Sequence, residues 1–163
     1  MEEMGRAVMP GPFFATVLLG GLAILEAGSP AQKKEWLGKI AMGDAKATLA
    51  LTEPNARWDA AGVTVTAVPA GGGFVLNGAK LFVPDAHVAD VLAVAARTGS
   101  GTTPGEGVSL FLVPRDADGL DVKLLPTMDR TRKLCEVSFT DCRVGPDALM
   151  GARDQAWPAL TRV

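Results

Sequence analysis

At Lys46 the hydrophobic period of this chain changes, and the new period holds as far as Gly151. Before that point apolar residues recur at three- and four-residue steps: Phe14, Val17, Leu18, Leu22 and Leu25, then Trp36, Leu37, Ile40 and Ala41. After it they alternate. In "KATLALT", Ala47, Leu49 and Leu51 share one face while Thr48, Ala50 and Thr52 share the other. The first spacing lines one face of a helix, the second one face of a strand. Helices gathered before the strands, rather than interleaved with them, exclude a βαβ dinucleotide-binding unit. The pattern predicts an α+β fold: two N-terminal helices followed by an antiparallel β-barrel or sandwich of seven or so short strands.

The strand segments are separated by turn signals. "GVTVTAVPA" alternates Val63, Val65 and Ala67 against Thr64 and Thr66. "GGGFVLNGAKLFV" is expected to form two short strands around an Asn77-Gly78 turn. "ADVLAVAART", "GVSLFLV", "GLDVKLL" and "LCEVSFTDCRV" complete the set, with "GSGTTPGEG" as a flexible loop. After Gly151, "ARDQAWPALTRV" opens a further helix that Pro158 would disturb unless it kinks there.

The second helix declares its own ends. Ser29 suits the N-cap, Pro30 the first helical position, Gln32 a capping box and Gly43 the stop. The first helix is harder to place. Its apolar core resembles that of a signal peptide, but Glu2 and Glu3 precede it and Arg6 is its lone cation. The apolar run from Phe13 to Leu25 is 13 residues, short of the roughly 20 that span a bilayer. A buried core helix, apolar nearly all round, fits better than a membrane anchor.

Several function classes fall away. A net charge of −2, with Arg130-Thr131-Arg132-Lys133 as the densest basic run, argues against nucleic acid and makes that run a solvated loop. The two cysteines, Cys135 and Cys142, stand an odd number of residues apart, so on one continuous strand they face opposite ways. They form neither a disulfide framework nor a zinc site, and reduced thiols imply a cytoplasmic protein. Asp116, Asp118 and Gly119 begin like a calcium loop, but Thr127 stands where the bidentate glutamate belongs, so no metal is expected. Gly71-Gly72-Gly73 has no helix behind it and is a hairpin turn rather than a phosphate cradle. His87 is the only histidine and has no nucleophile motif beside it; no catalytic residue is assigned.

What remains is a pair of strand ends. Leu51-Thr52-Glu53-Pro54 offers a hydroxyl and open backbone donors, and Phe82-Val83 ends at Pro84. If the two adjoin, they suit a flat heteroaromatic ring, with apolar contact on its faces and donors at its edge.

These segments also resemble a known family. "ATLALTEPNARWDAAG", then "FVLNGAKLFVPDAHVADVLAVAART", "GVSLFLVP" and "EVSFTDCRVGPDALMG" are similar to the middle domain of the acyl-CoA dehydrogenases. "GSPAQKKEWLGKIAMGDAKATLALTEP" resembles the last helix of that family's N-terminal domain and its entry into the barrel. The resemblance implies a remnant of the N-terminal helical domain over residues 1–45, a middle β-barrel over 46–151 and the start of a C-terminal helical bundle over 152–163. It implies FAD as cofactor and α,β-dehydrogenation of an acyl-CoA thioester, with electron-transfer flavoprotein or another acceptor downstream. Homo-oligomers formed through the bundle are also implied.

By the same resemblance Thr52 matches the threonine that contacts the flavin, and Leu49 and Leu51 match strand positions lining that site. Phe82 falls where the family has tryptophan, with Val83 next in register. Pro84 falls where a threonine donates toward flavin N5, a bond that proline cannot make. Trp58 falls where a serine touches substrate, and Arg57 replaces a glycine of the turn. The base is a carboxylate of the bundle, so these residues alone are expected to bind FAD poorly and to turn over nothing. Two other functions share the pattern: a non-catalytic scaffold barrel, suggested by Pro84 and Trp58, and a flavin-dependent acyl-CoA or nitroalkane oxidase.

Overall fold

The computed structural model describes residues 2–100 and 105–163, so part of the loop predicted at 99–107 lies outside the described residues. A one-turn helix, α1 (Glu2–Arg6), precedes the two expected ones. It buries none of its residues, and Arg6 pairs with Glu3 across its single turn at 2.5 Å. The apolar helix begins as a π-helix (Phe14–Gly21) and continues as α2 (Leu22–Ala27). Gly20 explains its seat. A Cβ there would stand 2.5 Å from the Ala47 Cβ and 2.7 Å from the Thr48 nitrogen, so only glycine lets the helix lie this close to a strand. One face is buried, through Ala15, Thr16, Gly20, Gly21, Ala23 and Ile24, while Phe13, Phe14 and Leu25 stay partly exposed. No helix of the described residues is long and apolar enough to cross a membrane.

Helix α3 (Pro30–Met42) has the predicted ends. The Ser29 hydroxyl accepts from the Gln32 N–H, Gln32 Oε1 accepts from the Ser29 N–H, and Gly43 closes the helix at φ +82°. Gln32 does more than cap. Its Nε2 donates to the carbonyls of Asp147 and Leu149 and fastens the helix to the far end of the sheet.

Eight strands follow: β1 (Ala47–Ala50), β2 (Thr66–Ala70), β3 (Gly73–Pro84), β4 (Val91–Arg97), β5 (Val108–Pro114), β6 (Leu120–Leu124), β7 (Leu134–Val144) and β8 (Leu149–Met150). The sheet order is β6-β7-β3-β2-β4-β5-β8, with β1 added against β4. Helices followed by one large sheet make the α+β class expected. Pairing is antiparallel except along one edge of β4, where β1 pairs parallel from Ala47↔Val91 to Ala50↔Val94 and β2 pairs parallel at Thr66↔Arg97. The chain runs beside β4, leaves the sheet after Ala50, and rejoins the same edge at Thr66.

Alternation sorts the core into two layers. Leu92, Val94, Ala96, Phe111 and Val113 point into the barrel with Leu76, Val83, Val137 and Phe139. Val91, Ala93, Ala95, Leu110 and Leu112 point the other way, onto Ala23, Ile24 and Met150. Strands β4 and β5 are apolar on both faces because both faces are covered.

Two expectations fail on the same strand pair. Asn77-Gly78 is not a turn: β3 continues through it, and the hairpin turn is Gly71-Gly72, both at positive φ, where the glycine run predicted one. Cys135 and Cys142 both face the barrel core, because the β3–β7 register shifts opposite Leu76–Gly78 and adds a residue between them. Both are free thiols. Pro158 sits in the first turn of α4 (Trp157–Leu160), where its missing N–H leaves no helical bond unmade.

Candidate functional site

The excursion between β1 and β2 is built around one inward-turned side chain. Glu53 is 1% exposed, at the end of an otherwise apolar barrel. Its carboxylate accepts from the backbone N–H groups of Thr64 and Val65, at 2.9 to 3.2 Å, and from the Thr64 hydroxyl. Lys80, on β3 and 0% exposed, donates from Nζ to Glu53 Oε1 at 2.6 Å and to the Leu51 carbonyl at 3.1 Å. The Leu81 N–H then donates to the Thr52 carbonyl at 2.8 Å, and the Thr48 hydroxyl to the Pro84 carbonyl at 2.6 Å. The two strand ends singled out in the sequence therefore adjoin, joined by direct hydrogen bonds.

At this junction β3 bulges. Its ladder with β7 jumps from Lys80↔Val137 to Val83↔Cys135, and Phe82 takes φ +56°. A bulky aromatic residue rarely enters the left-handed region. Phe82 is 52% exposed, so burial of its ring does not account for the conformation.

The ion pair is asymmetric. Burial pushes the Glu53 carboxyl up, but the Lys80 charge and the donors from Lys80, Thr64 and Val65 outweigh it and leave the group below the usual carboxylate range. Burial pushes the Lys80 ammonium down to about 8, against the pull of Glu53 and with a smaller push from Arg97. The difference follows from hydrogen bonding. Glu53 replaces its hydration with donors on several sides, whereas Lys80 has two acceptors for three N–H groups.

The loop beyond Pro54 is self-supporting. Asn55 accepts from the Arg57 N–H and donates to the Gly62 carbonyl. The Arg57 guanidinium holds the Asp59 carboxylate in two hydrogen bonds of 2.9 and 2.6 Å, and Asp59 also caps the 3-10 turn Ala60–Gly62. Trp58 stands out from this frame, 84% exposed.

The residues predicted to bind a ligand divide accordingly. Val83 points into the barrel core and Leu49 into the layer under the helices, so each presents backbone rather than side chain to the rim. Leu51, Thr52 and Pro84 are partly exposed, and the Thr52 hydroxyl has no hydrogen-bond partner among the described residues. Phe82 and Trp58 are open to solvent. Glu53 and Lys80 were not among the predicted residues, although a signal for Lys80 exists: it shares the parity of inward Leu76 on an alternating strand.

His87 places Nδ1 3.9 Å from the Cys135 sulfur, but burial pushes that thiol up, which is the wrong direction for a nucleophile. Asp116 and Asp118 join no metal-binding cluster among the described residues. A groove of about 790 Å³ lies apart from the rim, between the start of α3 and the Arg143–Leu149 segment.

Residues 48–142 match the family profile described as "Acyl-CoA dehydrogenase, middle domain", and residues 1–44 match "Acyl-CoA dehydrogenase, N-terminal domain". Acyl-CoA dehydrogenase FadE29 of Mycobacterium tuberculosis is 31% identical over 161 residues, which is 99% of this chain and 41% of that protein. Among solved structures, the steroid ACAD Tcur3481-Tcur3483 superposes with a TM-score of 0.87 at 31% identity, covering 98% of this chain and 41% of that one. A glutaryl-CoA dehydrogenase from Mycobacterium smegmatis, solved in complex with FADH2, superposes with a TM-score of 0.74 at 29% identity, covering 86% and 36%. The chain thus spans about two fifths of the length of these relatives.

Proposed function

This chain belongs to the acyl-CoA dehydrogenase family, and from that premise we propose that it is the flavin-binding part of an FAD-dependent oxidoreductase acting on an acyl-CoA thioester. The observation that carries the proposal is the Leu81 N–H to Thr52 carbonyl bond. It joins the strand end that carries the Thr52 hydroxyl to the strand end that carries the exposed Phe82 ring.

The residues present suit an isoalloxazine. Phe82 and the partly exposed Leu51 offer apolar contact to a ring face, and the Thr52 hydroxyl is an uncommitted donor for a ring-edge acceptor. FAD, when bound, supplies the hydride acceptor of the dehydrogenation. Thr52 would orient the ring, and Phe82 would shield one of its faces from water. Pro84 has no N–H to give, and its carbonyl is taken by Thr48, so donation falls to the Thr52 side of the shelf. Glu53 does not act as a base, because it is enclosed and paired with Lys80. Trp58, on its braced loop, is the residue proposed to meet the substrate.

The same proposal takes electron-transfer flavoprotein or a comparable acceptor as redox partner, a homo-oligomer as the working assembly, and fatty-acid or related acyl metabolism in the cytoplasm as the setting.

Titration of FAD into the purified chain, followed by flavin fluorescence, tests the proposal. Weak but saturable quenching is expected, with Thr52→Ala and Phe82→Ala each weakening it about tenfold, the equivalent of ~1.4 kcal/mol. Quenching of the same strength in all three proteins would mark adventitious binding and refute it.

A further inference from the structure

We propose that the buried Glu53–Lys80 pair is a positioning device, which fixes Leu51–Thr52 and Phe82 in the mutual register that a flat ring on the shelf requires. The inference rests on the flavin-binding proposal for the ligand, but not for the geometry.

The barrel interior around the pair is otherwise apolar, built from Val65, Ala67, Leu76, Val83 and Val137 among others. Two charges in such a place are a poor way to gain stability, since well-packed apolar residues of similar volume commonly do as well or better. What apolar side chains cannot supply is direction. The pair's hydrogen bonds have fixed partners, and those partners all belong to the shelf's supports. Glu53 ties the start of the excursion to its end at Thr64 and Val65, and Lys80 ties β3 to the Leu51 carbonyl. The next residue, Leu81, makes the bond to Thr52, and the residue after that is the strained Phe82. Charge-assisted bonds of this kind hold geometry more tightly than contact does. Every other ion pair among the described residues has partly or largely exposed side chains, so only this one is placed to act in this way.

A double variant, Lys80→Met with Glu53→Leu, separates positioning from stability. It removes both charges together and leaves no unpaired ion. Three measurements are made beside the unmodified chain: thermal midpoint, hydrogen exchange of the Leu81 amide, and FAD titration. The expected result is a midpoint close to that of the unmodified chain. The Leu81 amide should exchange at least about tenfold faster, because the bond to Thr52 opens locally. FAD affinity should fall at least about tenfold. The single variants Lys80→Met and Glu53→Gln should lose affinity and midpoint together.

A stable double variant with unchanged Leu81 protection and unchanged FAD affinity would overturn the proposal. So would a double variant that cannot fold, since the pair would then be a stability element. If the unmodified chain takes up no FAD at all, the flavin-binding proposal fails by itself, and Leu81 exchange alone decides this one.

Discussion

The ladder between β3 and β7 breaks twice, and the two breaks are managed in opposite ways. The first lies between Leu76↔Cys142 and Gly78↔Phe139. There Asp141 takes φ +47°, and Asn77 both accepts from its N–H at 2.8 Å and donates to its carboxylate at 3.1 Å. Asn and Asp enter the left-handed region more readily than most residues, and this bulge lies at the surface. It is stabilised where it occurs, by residues suited to it. The second break carries Phe82, a residue unsuited to its φ, exposed, with no side-chain hydrogen bond to its backbone among the described residues. That bulge is imposed from inside, by Lys80 and the bond of Leu81 to Thr52. Backbone strain that local chemistry does not explain points to a site. The first bulge is a structural correction; the second aims a side chain.

The contrast is first a claim about size. Removing one partner of the buried pair, as in Lys80→Met or Glu53→Gln, should destabilise the chain by about 3–5 kcal/mol, because an uncompensated charge or its desolvated partner is left behind. Chemical denaturation would measure it. A loss no greater than that from cutting the Asn77–Asp141 contacts would erase the distinction between the two bulges.

The pair should also leave a signature in pH. Glu53 titrates below its ordinary value of 4.5 in the folded chain. Its contribution is therefore complete above about pH 4.5 and is lost as pH falls through the lower folded value. Lys80 runs the other way. Between about 8 and its ordinary 10.5 the unfolded chain binds the proton that the folded chain has released, so this group makes stability rise with pH in that window. Denaturation midpoints across both ranges, compared with those of the double apolar variant, would show both slopes vanish. Identical profiles would mean that the pair is not charged as described.

Neither bulge was legible in the sequence, and what was legible around them comes down to range. Local rules located α3 to the residue, because Ser29, Gln32 and Gly43 act within a turn of the helix. Alternation sorted Ala47, Leu49 and Leu51 from Thr48 and Ala50 correctly, because β1 contains no bulge. The same rules failed at Asn77-Gly78, where a strong local turn signal yields to pairing with β7 along the whole of β3. They failed again for Cys135 and Cys142, whose faces depend on the inserted residue. The parallel seats of β1 and β2 on β4 are long-range choices with no local trace. At the site, the strand ends Thr52 and Phe82 were found but their cause was not. Glu53 and Lys80 are 27 residues apart, and what makes each intelligible is the other.

Asn77→Ala is the matching test of the surface bulge. It deletes two hydrogen bonds, both exposed, so the expected loss is about 1 kcal/mol. Neither Leu81 protection nor FAD affinity should change, because the contacts lie on the other side of Gly78 from the shelf. A measurable loss of FAD affinity in Asn77→Ala would mean that the two bulges are coupled through β3, and the division drawn between them would not stand.

The smallest expected effect on stability is the most telling. Phe82→Gly removes a ring that is half in solvent and gives the backbone a residue at ease at φ +56°. Relief of left-handed strain contributes roughly 1–2 kcal/mol, while the extra freedom of glycine in the unfolded chain costs roughly 0.5–1 kcal/mol. Some apolar contact is lost as well, so the balance should lie within about 1 kcal/mol of zero. A residue retained for stability could not be exchanged so cheaply at a strained position. If Phe82 is held there to meet a ligand, the variant should keep its denaturation midpoint and Leu81 protection while FAD affinity falls. A large loss of stability on Phe82→Gly would instead show that the ring packs against something that holds the fold together, and the second bulge would then be structural, like the first.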